Sequence, residues 1–145
     1  MATTKFTVHT TLSPSEVLAV VTDFGPDRSR WWPNVDEGHF TVHDQGTDWA
    51  EVTEGTSMGW ERERYSWDAA AGTVTIDTLE SNLWRPGSSW RYDLTPAGDG
   101  TDLHVTLTRK ANSLKGKVIG ALIPLVGART LGNQFETVLR RAEKR

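Results

Sequence analysis

Two places in this 145-residue chain carry side chains able to do chemistry. The first is Glu61-Arg62-Glu63-Arg64-Tyr65, four alternating charges ending in a phenol. The second is Arg109, which continues the apolar ladder Leu103, Val105 and Leu107. A carboxyl held against an apolar wall can act as a general acid or base, and an arginine can steady a developing oxyanion. That chemistry would fall to Glu63, Tyr65 and Arg109. Two other uses stand beside it. Arg109 and a carboxylate, Glu63 or Glu80, can simply neutralise one another. They can also anchor the polar end of a mostly apolar ligand.

The other reactive residue types are poorly placed. Cysteine is absent, which excludes disulfides, thiolate metal sites and a cysteine nucleophile. All four histidines fall on the polar parity of strand-like segments. Phe6, Val8, Thr10 and Leu12 inward put His9 outward; Phe40 and Val42 do the same for His39 and His43, and the Leu103 ladder for His104. Along a strand, His39 and His43 would stand roughly 13 Å apart, too far to share an ion. No HExxH, phosphate-binding loop, dinucleotide fingerprint or GxSxG occurs. We therefore expect no metal and no cofactor.

Residues at those positions need strands to aim them. Alternation predicts strands over Lys5–Leu12, Gly38–Asp44, Thr47–Glu54, Gly59–Asp68, Thr73–Ser81, Ser88–Thr95 and around Leu103–Leu107. Pro96-Ala97-Gly98-Asp99-Gly100 supplies the last hairpin turn. Between the first and second strands, Ser13-Pro14-Ser15-Glu16 has the form of a capping box opening a short helix. A second helical turn spans Asp27–Trp31, ended by Pro33. Within Gly59–Asp68, two aromatics against one favour Tyr65 and Trp67 inward, with Glu61 and Glu63. The opposite parity buries Trp60 with Arg62 and Arg64, and a bulge would mix the two.

From Asn112 to Arg145 the pattern becomes helical. Leu114, Val118, Leu122, Leu125, Ala128, Leu131, Phe135, Val138 and Ala142 recur at steps of three or four and are predicted to face the sheet. Gly116, Gly120, Pro124 and Gly127 interrupt the first half, so Gly116–Gly127 is read as a gate and Leu131–Ala142 as an anchor. Ile119, Ile123 and Val126 lie off that face. This end is basic: residues 109–145 hold nine Lys or Arg against two Glu, a balance of +7, while residues 1–108 carry −10 and the whole chain −3. The basic residues are spread around the helix without interleaved aromatics. They complement the helix dipole and give no sign of nucleic-acid binding.

The order strand, helix pair, about six strands, long helix resembles the START-like, or polyketide cyclase and lipid-transport (SRPBCC, Bet v 1-like), superfamily. Carrying the resemblance are Leu12-Ser13-Pro14-Ser15-Glu16-Val17-Leu18 through Asp23, Trp31-Trp32-Pro33, and the turns Gly46-Thr47-Asp48-Trp49 and Gly98-Asp99-Gly100-Thr101-Asp102-Leu103. The resemblance implies an α+β helix-grip fold, residues 1–145 forming one domain. In it a curved antiparallel sheet of about seven strands wraps a long C-terminal helix, with two short helices after the first strand. It also implies a cavity for a lipid, fatty acid or polyketide-like aromatic.

Seven tryptophans supply wall for such a cavity. Its expected lining is Trp32, Trp49, Glu63, Tyr65, Trp67, Ile76, Trp90, Tyr92, Arg109, Leu122 and Val126, with Trp84 in a rim loop. The leading expectation is a non-catalytic binder or carrier of a small hydrophobic molecule. The alternative is a cyclase, aromatase or dehydratase-like enzyme using Glu63, Tyr65 and Arg109. A second alternative docks residues 118–126 to a partner or, weakly, to a membrane surface. The N-terminal residues show no apolar leader and no run is long enough to span a bilayer, so the expected location is cytoplasmic. Oligomeric state is left open.

Overall fold

The computed structural model describes residues 2–144, Pro124 by its backbone only. Met1 and Arg145, the ends of the predicted domain and helix, lie outside the described residues. Strand β1 (Ala2–Thr10) is followed by α1 (Pro14–Val21), α2 (Arg28–Trp31) and a 3-10 turn (Glu37–His39). Six strands follow: β2 (Thr41–Gln45), β3 (Trp49–Gly55), β4 (Trp60–Asp68), β5 (Thr73–Ser81), β6 (Ser89–Ala97) and β7 (Gly100–Arg109). The chain ends in α3 (Leu114–Leu122), a π-helical turn (Ile123–Gly127) and α4 (Ala128–Glu143).

All seven strands form one antiparallel sheet in the order β1-β7-β6-β5-β4-β3-β2. This is the helix-grip arrangement, a curved sheet closed by the C-terminal helix. The capping box at α1 is formed: Ser13 Oγ accepts from the Glu16 amide at 3.2 Å, and Glu16 Oε1 accepts from the Ser13 amide at 3.0 Å. That box and Pro14 fix where α1 starts, turning Val17, Val20 and Val21 into the core.

On the inner face, β1 presents Val8 and Thr10, β3 presents Ala50, Val52 and Glu54, and β5 presents Val74 and Ile76. Strands β6 and β7 add Tyr92, Leu94, Leu103, Val105 and Leu107. Helix α4 answers with Phe135, Val138, Leu139 and Ala142, all buried. Phe135 is the hub: its ring lies 5.1 Å from Trp32, 5.4 Å from Tyr92 and 5.6 Å from Phe6, each edge to face.

Two local details depart from simple alternation. Arg62 pairs with Glu80 while Glu63 pairs with Thr78, so Leu79 is an extra residue and β5 changes parity there. Glu80, expected inward beside Arg109, is consequently exposed, and Ser81 points in. The predicted strand at Gly38 begins only at Thr41, because His39 belongs to the 3-10 turn.

The largest departure is in α3. The stripe Leu114, Val118, Leu122 and Leu125 is contiguous, but it faces solvent. The inner side carries the buried glycines Gly116, Gly120 and Gly127, with Ile119 and Ile123 half-buried between them. A Cβ at Gly116 would lie 2.3 Å from the Leu83 carbonyl oxygen, and one at Gly120 would touch the Trp84 ring at 3.5 Å. Glycine lets α3 press its backbone onto the 82–88 loop, and that contact, not the leucines, decides which side faces in. Pro124 has no amide to donate, and the helix passes it as a π turn before α4 resumes a regular ladder.

Gly116→Ala should destabilise the protein by about 1–3 kcal/mol in urea denaturation, since backbone lies in the way of the new methyl. Gly38→Ala, where nothing lies within 4 Å of the added carbon, should be neutral or stabilise by about 0.4–1 kcal/mol.

Candidate functional site

Between the sheet and the helices lies a cavity of about 200 Å³, walled by Trp32, Ile76, Trp84, Trp90, Tyr92 and Phe135 on its apolar side. Its polar side is made by Arg28, Asn34, Glu54, Glu61, Glu63 and Tyr65. A second space of about 310 Å³ continues from it past Trp84 and Trp90, towards Arg109, Ile119, Leu122, Ile123, Val126 and Leu131. Asn34, Glu61, Trp84 and Trp90 border both.

The polar side is built around Arg28, whose side chain is 2 % exposed. Its Nε donates to Glu54 Oε1 at 2.9 Å and its Nη1 to the carbonyls of Val21 and Asp23 at 3.1 and 3.0 Å. Its Nη2 donates to the Tyr65 hydroxyl at 2.8 Å and to Glu54 Oε2 at 3.4 Å. All five guanidinium N–H groups are thereby used. The Tyr65 hydroxyl donates in turn to Glu54 Oε2. Phe24, Trp32 and Tyr65 pack around the guanidinium, with ring centres 4.7–5.4 Å from its carbon.

A second ion pair stands towards the larger space. Arg109 donates to both carboxylate oxygens of Glu61, at 2.8 and 3.0 Å, and Thr78 Oγ1 donates to Glu61 Oε1 at 2.7 Å. The guanidinium lies 5.3 Å from the Trp84 ring and 5.1 Å from the Trp90 ring. The partner of Arg109 is thus Glu61, in place of the expected Glu63 or Glu80. Glu61 shares β4 parity with Glu63, whereas Glu80 is turned away by the Leu79 bulge.

The remaining expected site residues divide clearly. Trp32, Glu63, Tyr65, Ile76, Trp90 and Tyr92 line the first cavity, and Arg109, Leu122 and Val126 line the second. Trp49 does not line either. Ala50, Val52 and Glu54 take the inward positions of β3, so Trp49 faces outward, with the Arg64 guanidinium 4.5 Å from its ring. Trp67 does point inward, but against Phe24 (6.2 Å between rings) at the end of the sheet beyond the cavity. Trp84, expected on a rim, is 7 % exposed and walls both spaces. Arg28 and Glu54 were not foreseen. Glu54 was accessible from the parity of Ala50 and Val52; nothing local marks Arg28.

The chain matches the family described as polyketide cyclase / dehydrase and lipid transport over residues 1–144. The chain belongs to this family. Similar solved structures include the Zhui aromatase/cyclase from Streptomyces sp. R1128 (TM-score 0.80, 15 % identity, 99 % of this chain and 94 % of that one). A START superfamily protein from Mycobacterium smegmatis is similar too (TM-score 0.77, 15 % identity, 99 % of both chains). So is norcoclaurine synthase from Thalictrum flavum (TM-score 0.72, 10 % identity, 98 % of this chain and 86 % of that one). At these identities the likeness is one of fold. None of the curated proteins matches the chain by sequence.

For this member of the polyketide cyclase and lipid-transport family, the electrostatics of the cavity follow from how its charges are shared. Burial acts to raise the Glu54 carboxyl, but the Arg28 charge and hydrogen bonds overcome it, and Glu54 stays below the usual carboxylate range. Glu63 has only the weaker opposing charge of Arg109. Burial, then the charges of Glu61 and Glu54, push it well above the usual range, which favours its protonated form. Burial and the Glu54 charge also raise Tyr65 and Tyr92, which remain neutral phenols. The cavity wall therefore offers one carboxyl biased towards its neutral form between two ion pairs.

Removing the cation from this set should be costly. Arg28→Met should destabilise the protein by about 3–5 kcal/mol in chemical denaturation, because Glu54 is left buried and unpaired. Glu63 sets a distinct pH signature. Its folded-state pKa lies above the ordinary value of 4.5, so it weakens the fold as pH rises from about 4.5 through that raised pKa. Glu63→Gln removes the loss. The variant should melt above wild type at pH 8, with the gap closing as pH falls towards 4.5, as thermal melts across pH would read. Glu54 acts oppositely, its contribution vanishing as pH falls below its usual range.

Proposed function

We propose that the chain binds or carries a small, mostly apolar molecule bearing one uncharged polar group, held between the sheet and α3–α4. The observation that supports this reading is the composition of the cavity. Aromatic and aliphatic side chains form one whole side of it, and on the polar side both buried arginines are already matched by carboxylates. An anionic head would have to break one of those pairs, at a cost of several kcal/mol. A carbonyl or hydroxyl would need only the protonated Glu63 as a partner. Lipid, fatty-acid and polyketide-like ligands are the classes considered; neutral aromatic polyketide-like molecules suit this wall better than a fatty-acid carboxylate.

In this reading residues 1–145 act as one binding unit, with α3 and the π turn as gate and α4 as anchor. The cysteine-free composition is compatible with a cytoplasmic setting. One observation favours the enzymatic alternative. A carboxyl kept protonated at an apolar wall is what general-acid catalysis on a carbonyl needs. Tyr65 and Arg109 are less available for such work, since each is already committed to a carboxylate.

Intrinsic tryptophan fluorescence reads both proposals, because Trp32, Trp84 and Trp90 wall the cavity. Titration with neutral polycyclic aromatic phenols or quinones should shift the emission, and Ile76→Trp, which fills the space, should weaken the response at least tenfold. No response across a ligand panel would overturn the binding reading. For the enzyme reading, Glu63→Gln should abolish turnover of a poly-β-carbonyl substrate while retaining binding. Turnover that survives this change would end the assignment.

A further inference from the structure

The outward face of α3 and the π turn carries an apolar surface that none of the described residues covers. Leu114, Val118, Leu122, Leu125 and Val126 are between 51 % and 79 % exposed. Leu114, Val118 and Leu122 share one side of α3, opposite Gly116 and Gly120, and Leu125 and Val126 extend the exposed apolar surface along the π turn. An ordinary surface helix buries its large apolar residues and shows its small or polar ones. Here the glycines are held against the Leu83 carbonyl and the Trp84 ring, so the arrangement is inverted and fixed. Met58, 68 % exposed on the neighbouring β3–β4 turn, stands beside this face, its carbonyl accepting from Lys115 Nζ at 3.4 Å.

The segment that carries the face has charge of one sign. Residues 103–135 contain no Asp or Glu, while Lys110, Lys115, Lys117 and Arg129 lie in or beside α3 and the π turn. Residues 1–108 carry a net −10, so this basic, apolar face is set off from an acidic remainder. Large apolar side chains flanked by lysines are what an interfacial helix presents to anionic lipid headgroups. No described helix is long and apolar enough to cross a membrane, so the contact would lie in the interface. The face is also continuous with the site, since Leu122 and Val126 line the outer cavity between Trp84, Trp90 and the helix.

We infer that the solvent-facing side of α3, with Met58, docks the protein on an anionic phospholipid surface and opens its outer cavity towards the lipid. This rests on the binding reading for the cavity but concerns a separate surface. A proteinaceous occupant, including a second copy of this chain, would need a counter-charge to these lysines, which the acidic remainder of a copy does not place on a matching apolar patch within the described residues.

Vesicle co-sedimentation tests it, using equal parts phosphatidylglycerol and phosphatidylcholine against phosphatidylcholine alone. Wild type should sediment with the anionic vesicles, and binding should fall with added salt. Leu125→Glu and Val118→Glu should each weaken binding roughly tenfold or more. Lys115→Gln and Lys117→Gln should each weaken it roughly fivefold. Leu79→Glu, an exposed apolar position on β5, should leave it unchanged. Equal binding to both vesicle types, or binding untouched by Leu125→Glu, would overturn the inference. So would light scattering that shows wild type dimeric and Leu125→Glu monomeric. Circular dichroism of each variant checks folding, and the salt and lipid dependence of wild type stands even if one variant misfolds. The tryptophan titration in vesicle-free buffer separates the readings: Leu125→Glu should keep its cavity response, so lost vesicle binding with retained response concerns the surface alone.

Discussion

Arg28 is the constraint on which the rest of this structure depends. A guanidinium removed from water is tolerable only when each N–H finds an oxygen and its charge finds a partner. Here those oxygens come from the end of α1, from β3 and from β4. The α1 C-terminus, the four-residue α2 and strands β3 and β4 must therefore meet at one point before the network closes. Phe24, Trp32 and Tyr65 then exclude water from it. A short helix of four residues has little stability of its own, and it is the buried ion pair with the Trp32–Phe135 contact that gives it a fixed place.

The same network shapes the cavity. By holding Glu54 ionised, Arg28 leaves a negative charge beside Glu63 that adds to burial and to the Glu61 charge in favouring its protonated form. Glu61 is held instead by both terminal nitrogens of Arg109. Three glutamates on two strands thus sit in three different settings. Phe135 completes the arrangement from α4, touching Trp32, Trp90 and Tyr92 at once, so the anchoring half of the C-terminal segment also forms the cavity's apolar roof.

Much of this was legible before any coordinates, and the failures have physical causes. Strand positions, the Ser13 capping box and the inward faces of β1, β4, β6 and β7 followed from alternation, because a half-buried strand must alternate. The Leu79 bulge was not readable, and it alone reversed Glu80. Trp49 was placed by its size, when the parity of Ala50 and Val52 decides its direction. The stripe on α3 was correctly periodic yet assigned to the wrong side: periodicity defines a face, but what that face meets is set by the close approach of Gly116 to Leu83. Arg28 left no local trace, since its side-chain partners lie 26 and 37 residues away.

The order of strands has a further effect, on how the chain reaches this state. Strands β1 and β2 are neighbours in sequence but occupy opposite edges of the sheet, and β1 pairs instead with β7. His9 and Asp102, 93 positions apart, sit side by side in that pairing. Six hairpin-linked strands can zip up in sequence, but the N-terminal strand has no place to rest until the last of them exists. For a ribosome releasing this chain from its N-terminus, β1 is made before the other six strands and is the last of them able to pair. Its alternating Phe6 and Val8 must wait, unpartnered, until β7 has been made.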